Sequence, residues 1–329
     1  LRSWLILRAI GCKVVKVFGY IRAALYSVPG KALSSAIMFI SSFFAVFSAL
    51  PPLVTYITDL RSKSVMVMLL SVVFVILAAG WPVGIIYTAT VVFSVVVLGE
   101  LLRAKIKFGN ILLLASIIVV GTYVVFTATY CLAYSVNIID LLASRIDALL
   151  TIMSSTYPDA LKQALVDSGM TQKELALTLA IKTPATISVI MIIFLFVNLL
   201  IVARFDFNAA SYLIKPSLMK VKVPDYFIFP AIIFGALYVY TNYTSYAHTS
   251  LLEAVSLFLF KSTMMAYLFH GIILVQLFLS ARMRDGFLKM ILFSIVVIFA
   301  YVFVIALGFF DTWFNFRKYL NTKKEGETL

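Results

Sequence analysis

Apolar residues run along this chain in stretches longer than a soluble helix needs. They fall at about 32–57, 64–79, 82–102, 110–133, 184–204, 226–241, 250–280 and 286–309. A helix of about 20 apolar residues crosses the hydrocarbon of a bilayer, and most of these runs approach that length. The pattern predicts an all-α fold, a polytopic transmembrane helix bundle of about eight spans with interfacial amphipathic helices. The second and third runs are joined by Gly80-Trp81-Pro82, a tight turn. The first contains Pro51-Pro52 and can break there. The seventh holds Glu253, Lys261 and His270 and is too long for a simple span, which predicts tilt or interruption.

Three stretches depart from this pattern. Residues 1–31 carry Arg2, Arg8, Lys13, Lys16, Arg22 and Lys31 without an acid, interleaved with Trp4, Ile6, Leu7 and other apolar residues. That reads as a basic amphipathic segment lying in the interface. Residues 134–183 are a polar insertion inside the transmembrane domain, 32–320. Asn137 to Tyr157 places Ile138, Leu141, Leu142, Ile146, Leu149 and Ile152 along one side of a helix. Pro158 starts a second helix, Gly169 ends it, and Thr171 with Glu174 makes a capping box for a third. All three are expected to lie against the membrane or the bundle. Residues 321–329 form a polar tail.

Composition agrees with the pattern: 63% hydrophobic and 12% charged residues, with a mean hydropathy of +1.07. Soluble domains carry about 45–50% apolar and about 25% charged residues. The net charge of +13 suits basic loops meeting anionic headgroups better than it suits nucleic acid. A helix-turn-helix-like stretch at Asp167–Thr183 fails for the same reason, because its recognition helix would continue into the fifth span. Cys12 and Cys131 sit in unrelated settings, and His248 and His270 are dispersed, so neither disulfide nor metal is indicated. No cofactor motif, phosphate loop or nucleophile constellation occurs, so no enzymatic activity is expected. An ATP-driven role would need an ATPase subunit as partner.

Orientation is contested within the sequence. Eight crossings with both ends inside, the favoured reading, place 14 basic residues on one side and 12 on the other. A re-entrant hairpin at Pro51-Pro52 gives 18 against 8 and puts the termini on opposite sides.

Ionisable and polar groups inside spans are costly and therefore candidates for function. Glu253 and Lys261 lie about 12 Å apart along a helix. Lys261 and His270 are roughly opposite in helical phase, so the seventh segment is expected to break near Lys261 or to be enclosed on both sides. Asn198, Lys261, His270 and Gln276 are the candidates for lining a polar cavity, with interhelical hydrogen bonding the plainer role for Asn198 and His270. Glu100 and Arg103 are expected to pair locally. Ala32-x-x-x-Ala36 and Ala45-x-x-x-Ala49 put small residues on one face of the first span, where another helix can approach closely.

The last third of the chain carries a resemblance. Gly308-Phe-Phe-Asp311-Thr-Trp313-Phe-Asn-Phe-Arg317 resembles the closing signature of the YybS-like bacterial membrane proteins. Tyr267-Leu-Phe-His270-Gly271 is similar to that family's Tyr-aromatic/Leu-Leu-Gln-Gly motif, with His in place of the usual Gln. Asn198 to Arg204, Val223-Pro224-Asp225, and Leu50-Pro51 with Arg61 match further points, so the resemblance covers about 32–320. It implies a bacterial cytoplasmic-membrane protein with a fold like the substrate-binding S-components of energy-coupling-factor transporters and like the rod-shape scaffold MreD. In S-components an Ala-x-x-x-Ala face docks the coupling subunit, which Ala32 and Ala36, or Ala45 and Ala49, would match. The closing motif reads as an interface anchor, with Trp313 in the headgroup belt and Asp311 pairing with Arg317 or Arg204.

Two functions follow as expectations. The first is a small-solute binding or transport subunit acting with a separate energising membrane or ATPase partner. The alternative is a non-transporting scaffold of a cell-envelope complex.

Overall fold

The computed structural model describes residues 27–41, 44–59, 61–104, 106, 108–204, 223–243, 250–283 and 287–316, and these contain helices and no strand. Most of the basic N-terminal segment, Arg317 and the polar tail lie outside the described residues. The helices are α1 (Val28–Ile40), α2 (Leu50–Thr58), α3 (Arg61–Ala79), α4 (Trp81–Arg103), α5 (Phe108–Tyr134), α6 (Ile138–Thr156), α7 (Pro158–Ser168), α8 (Gln172–Arg204), α9 (Ile228–Tyr243), α10 (Ser250–Arg282), α11 (Phe287–Phe299) and α12 (Tyr301–Phe314). Among the described residues six helices are long and apolar enough to cross a membrane, or seven if α11 and α12, bent by 90°, count as one span. The chain is a multi-pass membrane protein. It forms two compact units, Leu1–Val119 with Ile193–Lys215, and Val120–Ile192 with Pro216–Leu329.

In the first unit the apolar run 32–57 is not one span. It is α1, a 3-10 turn at Ala45–Phe47, and α2 with prolines at its start. The start of α2 has a backbone cause. Pro52 has no N–H to offer the carbonyl of Ser48, four residues earlier. That oxygen accepts from Ser35 Oγ at 2.6 Å, and Ser35 Oγ is 2.6 Å from the hydroxyl of the fully buried Tyr87. The carbonyl of Val46, in the turn, accepts from Asn198 Nδ2 at 2.8 Å. Non-helical backbone at membrane depth persists where protein groups satisfy it in this way. Lys31 Nζ lies 3.4 Å from Asp59 Oδ2, so the chain enters α1 and leaves α2 at the same end. The geometry is a hairpin that returns, so this run is not among the six or seven candidate crossings. Ala45 and Ala49 therefore share no span face.

In the second unit α6 runs antiparallel to the start of α8. Ile139 packs with Ala180, Ile181 and Ala254, while Leu150 and Leu161 meet Ala176. Gln172 Nε2 reaches Asp147 Oδ1 at 2.7 Å. Asn137 caps α6, Gly169 ends α7 at φ 64°, and Glu174 accepts from the Thr171 N–H at 2.8 Å, the caps that the sequence announces. Lys182 and Arg204 bracket about 33 Å of α8, close to the hydrocarbon thickness of about 30 Å. Helices α6 and α7 pack against the first turns of α8. Leu141 and Leu142 are half-buried, and Leu149 and Ile152 are 60% and 62% exposed on the bare chain, open to lipid or to a partner. The starts of α8 and α10 lie side by side in the same direction, with Ser188 Oγ 3.1 Å from Ser262 Oγ.

Candidate functional site

Helices α10 and α12 cross where each is bare. A Cβ on Gly271 would lie 1.8 Å from the Val304 carbonyl oxygen, and one on Gly308 would lie 2.0 Å from that of Tyr267. Two glycines in reciprocal contact let the backbones touch, as small residues do in membrane helices. Val275, Leu279 and Val304 continue the apolar seam.

That approach brings together two polar side chains spaced 41 residues apart in sequence. His270 Nε2 and Asp311 Oδ2 are 2.7 Å apart, with side chains 2% and 0% exposed. Asp311 Oδ1 accepts from the Phe316 N–H at 2.7 Å, and His270 Nδ1 accepts from the Val223 N–H at 3.4 Å. The tautomer follows from this network. Nδ1 is an acceptor, so Nε2 carries the proton and donates it to the carboxylate. Beside the pair, Tyr267 is fully buried against Phe309, ring centroids 5.1 Å apart, and its hydroxyl has no hydrogen-bond partner.

The pair revises the expectation for Asp311. It meets His270 inside the protein; Arg317 and the Arg204 side chain, its expected partners, lie outside the described residues. Trp313 keeps the border role in form, 54% exposed among Phe309 and Phe310.

The other candidates do not converge on a cavity. Segment α10 is one unbroken helix, so no break occurs near Lys261. His270 is enclosed, but Lys261 is exposed on another face, and Gln276 is half-buried six residues beyond His270. Asn198 belongs to the first unit, where its Nδ2 is committed to the carbonyls of Val46 and Phe194, at 2.8 and 2.7 Å. Ala32 and Ala36 are buried, at 0% and 2% exposure, and Ser71 of α3 donates to the Ala32 carbonyl at 3.2 Å. This chain's own α3 thus covers the face that was expected to dock a partner. Glu100 does not pair with Arg103. Its carboxylate takes both bonds from Arg61 Nη2 and one from the Tyr56 hydroxyl, while Arg103 Nη2 reaches the Tyr56 carbonyl at 2.6 Å.

Sequence reading missed the glycine crossing, the His–Asp pair and the Ser35–Tyr87 contact. The first was visible as glycines inside the two motifs quoted for their resemblance. Nothing local marked the other two.

Comparison with known proteins places the chain. A family model described as "Predicted membrane protein (DUF2232)" matches residues 32–312. The chain belongs to that family. No curated protein and no solved structure gives a match. The family is one of unknown function, consistent with the resemblance to YybS-like proteins. The matched stretch of this DUF2232 chain contains both Gly271 and Gly308 and ends one residue after Asp311.

Proposed function

We propose that this DUF2232 protein is a non-transporting assembly subunit, a scaffold of a cell-envelope complex in the bacterial cytoplasmic membrane, with no catalytic role. The observation that carries this reading is how its buried polar groups are used. Asn198, His270, Ser35 and Tyr87 each hold one part of the chain to another, which leaves them to packing instead of to a solute. The α6–α7 pair, with Leu149 and Ile152 exposed on α6, supplies a surface for assembly.

Orientation belongs to the same proposal. With 28–59 returning to its own side, the loops on the N-terminal side hold 18 basic residues and the opposite side holds 8. The positive-inside rule then puts the N-terminus in the cytoplasm and the α6–α7 pair on the outer side, with the C-terminus. Cysteines placed at Ser62 and Ser154 in a background with Cys12 and Cys131 replaced by serine check this. An impermeant thiol reagent added to intact cells is expected to label the Ser154 site and spare the Ser62 site. Equal labelling of both would contradict it.

Leu149→Glu with Ile152→Glu is the test of the scaffold. Both side chains are exposed, so the double variant is expected to fold with unchanged melting. In cross-linked membranes it is expected to lose at least about 80% of the higher-mass assembly that the unaltered chain forms, since exposed apolar anchors dominate such contacts. An unaltered cross-linking pattern, with a small solute retained stoichiometrically by the purified chain, would favour the second reading. That reading is a solute-binding subunit with a separate energising partner, and the ionisable pair buried at the α10–α12 crossing is what speaks for it.

A further inference from the structure

At the end of the first unit where α1 begins and α2 ends, four cations meet two carboxylates. Lys31 and Asp59 pair at 3.4 Å. Of Arg61, Lys63 and Arg103, only Arg61 pairs with the remaining carboxylate, Glu100, leaving an excess of two positive charges. The two guanidinium groups are held firmly. Both short bonds from Arg61 to Glu100, 2.5 and 2.6 Å, start from Nη2. Arg103 uses Nη2 for the carbonyls of Tyr56 and Asp59, and its guanidinium lies 4.7 Å over the Tyr56 ring. That ring in turn rests on Gly99, where a Cβ would come within 2.4 Å of it.

Fixing costs these side chains their freedom without consuming their donors. Nε and Nη1 of both arginines, and the ammonium of the exposed Lys63, have no partner among the described residues. Arg61 and Lys63 also stand in the first turn of α3, which holds no acid. Cations there oppose the helix dipole unless an anion comes near. Oriented guanidinium groups with free planar donors match phosphate oxygens, and a flexible ammonium beside them adds charge. The cluster lies at the ends of α3 and α4, both long and apolar enough to cross a membrane, which is headgroup depth.

We infer that Arg61, Lys63 and Arg103 form a binding site for the phosphate of an anionic lipid headgroup. It occupies the leaflet on the side of the α1–α2 hairpin's open end, and the hairpin is locked to the bundle beside it.

Reconstitution of the full chain in nanodiscs of phosphatidylcholine with a minor share of phosphatidylglycerol tests this, with native mass spectrometry reading the lipids that stay bound. Retained lipid is expected to be enriched in phosphatidylglycerol. Lys63→Gln, which removes no internal contact, is expected to cut that enrichment about five-fold, the equivalent of about 1 kcal/mol per cation near a membrane surface. Arg61→Gln is expected to cut it at least as far. Equal retention of both lipids, or enrichment that survives Lys63→Gln unchanged, would overturn the site. In nanodiscs of phosphatidylcholine alone, a melting increase with millimolar inorganic phosphate and no lipid preference would assign the cluster to free phosphate and overturn the lipid.

Discussion

Gly308→Ala is expected to be, with Gly271→Ala, one of the two most damaging glycine-to-alanine changes among the described residues. The added carbon would sit 2.0 Å from the Tyr267 carbonyl oxygen and 2.7 Å from the Gly271 nitrogen, both backbone atoms. A side chain can rotate away from such a contact, but a helix backbone has to be displaced as a whole. Overpacking of a tight interior typically costs about 1–3 kcal/mol. Here the displacement also pulls Asp311, three residues on, away from His270, so the loss should reach or exceed about 3 kcal/mol. Unfolding in mild detergent, followed by circular dichroism against temperature or denaturant, measures it. Gly121→Ala is the matched control. A Cβ there meets nothing within 4 Å, and alanine in a helix interior is favoured over glycine by about 0.5–1 kcal/mol. One substitution should destabilise and the other should not. Similar small effects at both sites would mean that the α10–α12 crossing is looser than these distances require.

The fold was legible from the sequence wherever the cause was local. Apolar run length gave the helical membrane bundle, because hydrocarbon thickness leaves few alternatives. Asn137, Pro158, Gly169 and the Thr171–Glu174 box bounded α6, α7 and α8, since caps act within four residues. The prolines at 51 and 52, expected to break the first run, instead stand in the first turn of α2, and the break lies before them, between Ile40 and Leu50. What the break led to was not legible, because it depends on Ser35, Tyr87 and Asn198, up to 152 residues away, arriving to satisfy freed carbonyls. The re-entrant hairpin was in the charge tally, but the Lys31–Asp59 contact was needed to bring its two ends together.

Local reasoning failed most clearly at Glu100. Three residues from Arg103 on one helix, it was read as a local pair, a contact worth about 0.2–0.5 kcal/mol on a helix surface. Arg61 offers a bond to each carboxylate oxygen and Tyr56 adds its hydroxyl, and this combination outcompetes the neighbour. At the candidate site the residue types were legible and their partnership was not. His270 and Asp311 were both singled out, but they were assigned to a cavity and to the membrane border. Helix phase tells which residues share a face, and no periodicity tells which two helices touch.

His270→Ala and His270→Gln are expected to part widely. Alanine removes the donor that Asp311 Oδ2 accepts from and the acceptor that the Val223 N–H uses, inside a site where both side chains are at most 2% exposed. Breaking a buried charged pair from one side costs about 3–5 kcal/mol; the bond from the Phe316 N–H to Oδ1 remains, which favours the lower end. Glutamine can supply both bonds at once. Its amide NH₂ donates to the carboxylate and its amide oxygen accepts from Val223, the same division of roles as the Nε2-protonated imidazole. The cost should stay within about 1 kcal/mol. The glutamine usual here in the YybS-like motif is then an equivalent donor–acceptor pair, and the histidine of this chain needs no separate role. Asp311→Asn completes the argument. An amide nitrogen facing His270 would need Nε2 as acceptor, moving the ring proton to Nδ1, where it meets the Val223 N–H donor to donor. Asparagine is nearly isosteric with aspartate, so a purely steric role for Asp311 would leave Asp311→Asn harmless. The tautomer argument instead expects it to lose about 2 kcal/mol or more, the cost of an unsatisfied buried polar group. Melting of the three variants in detergent separates these outcomes. If His270→Gln fell as far as His270→Ala, the imidazole itself would be required, and the pair would have to be read as a protonation site.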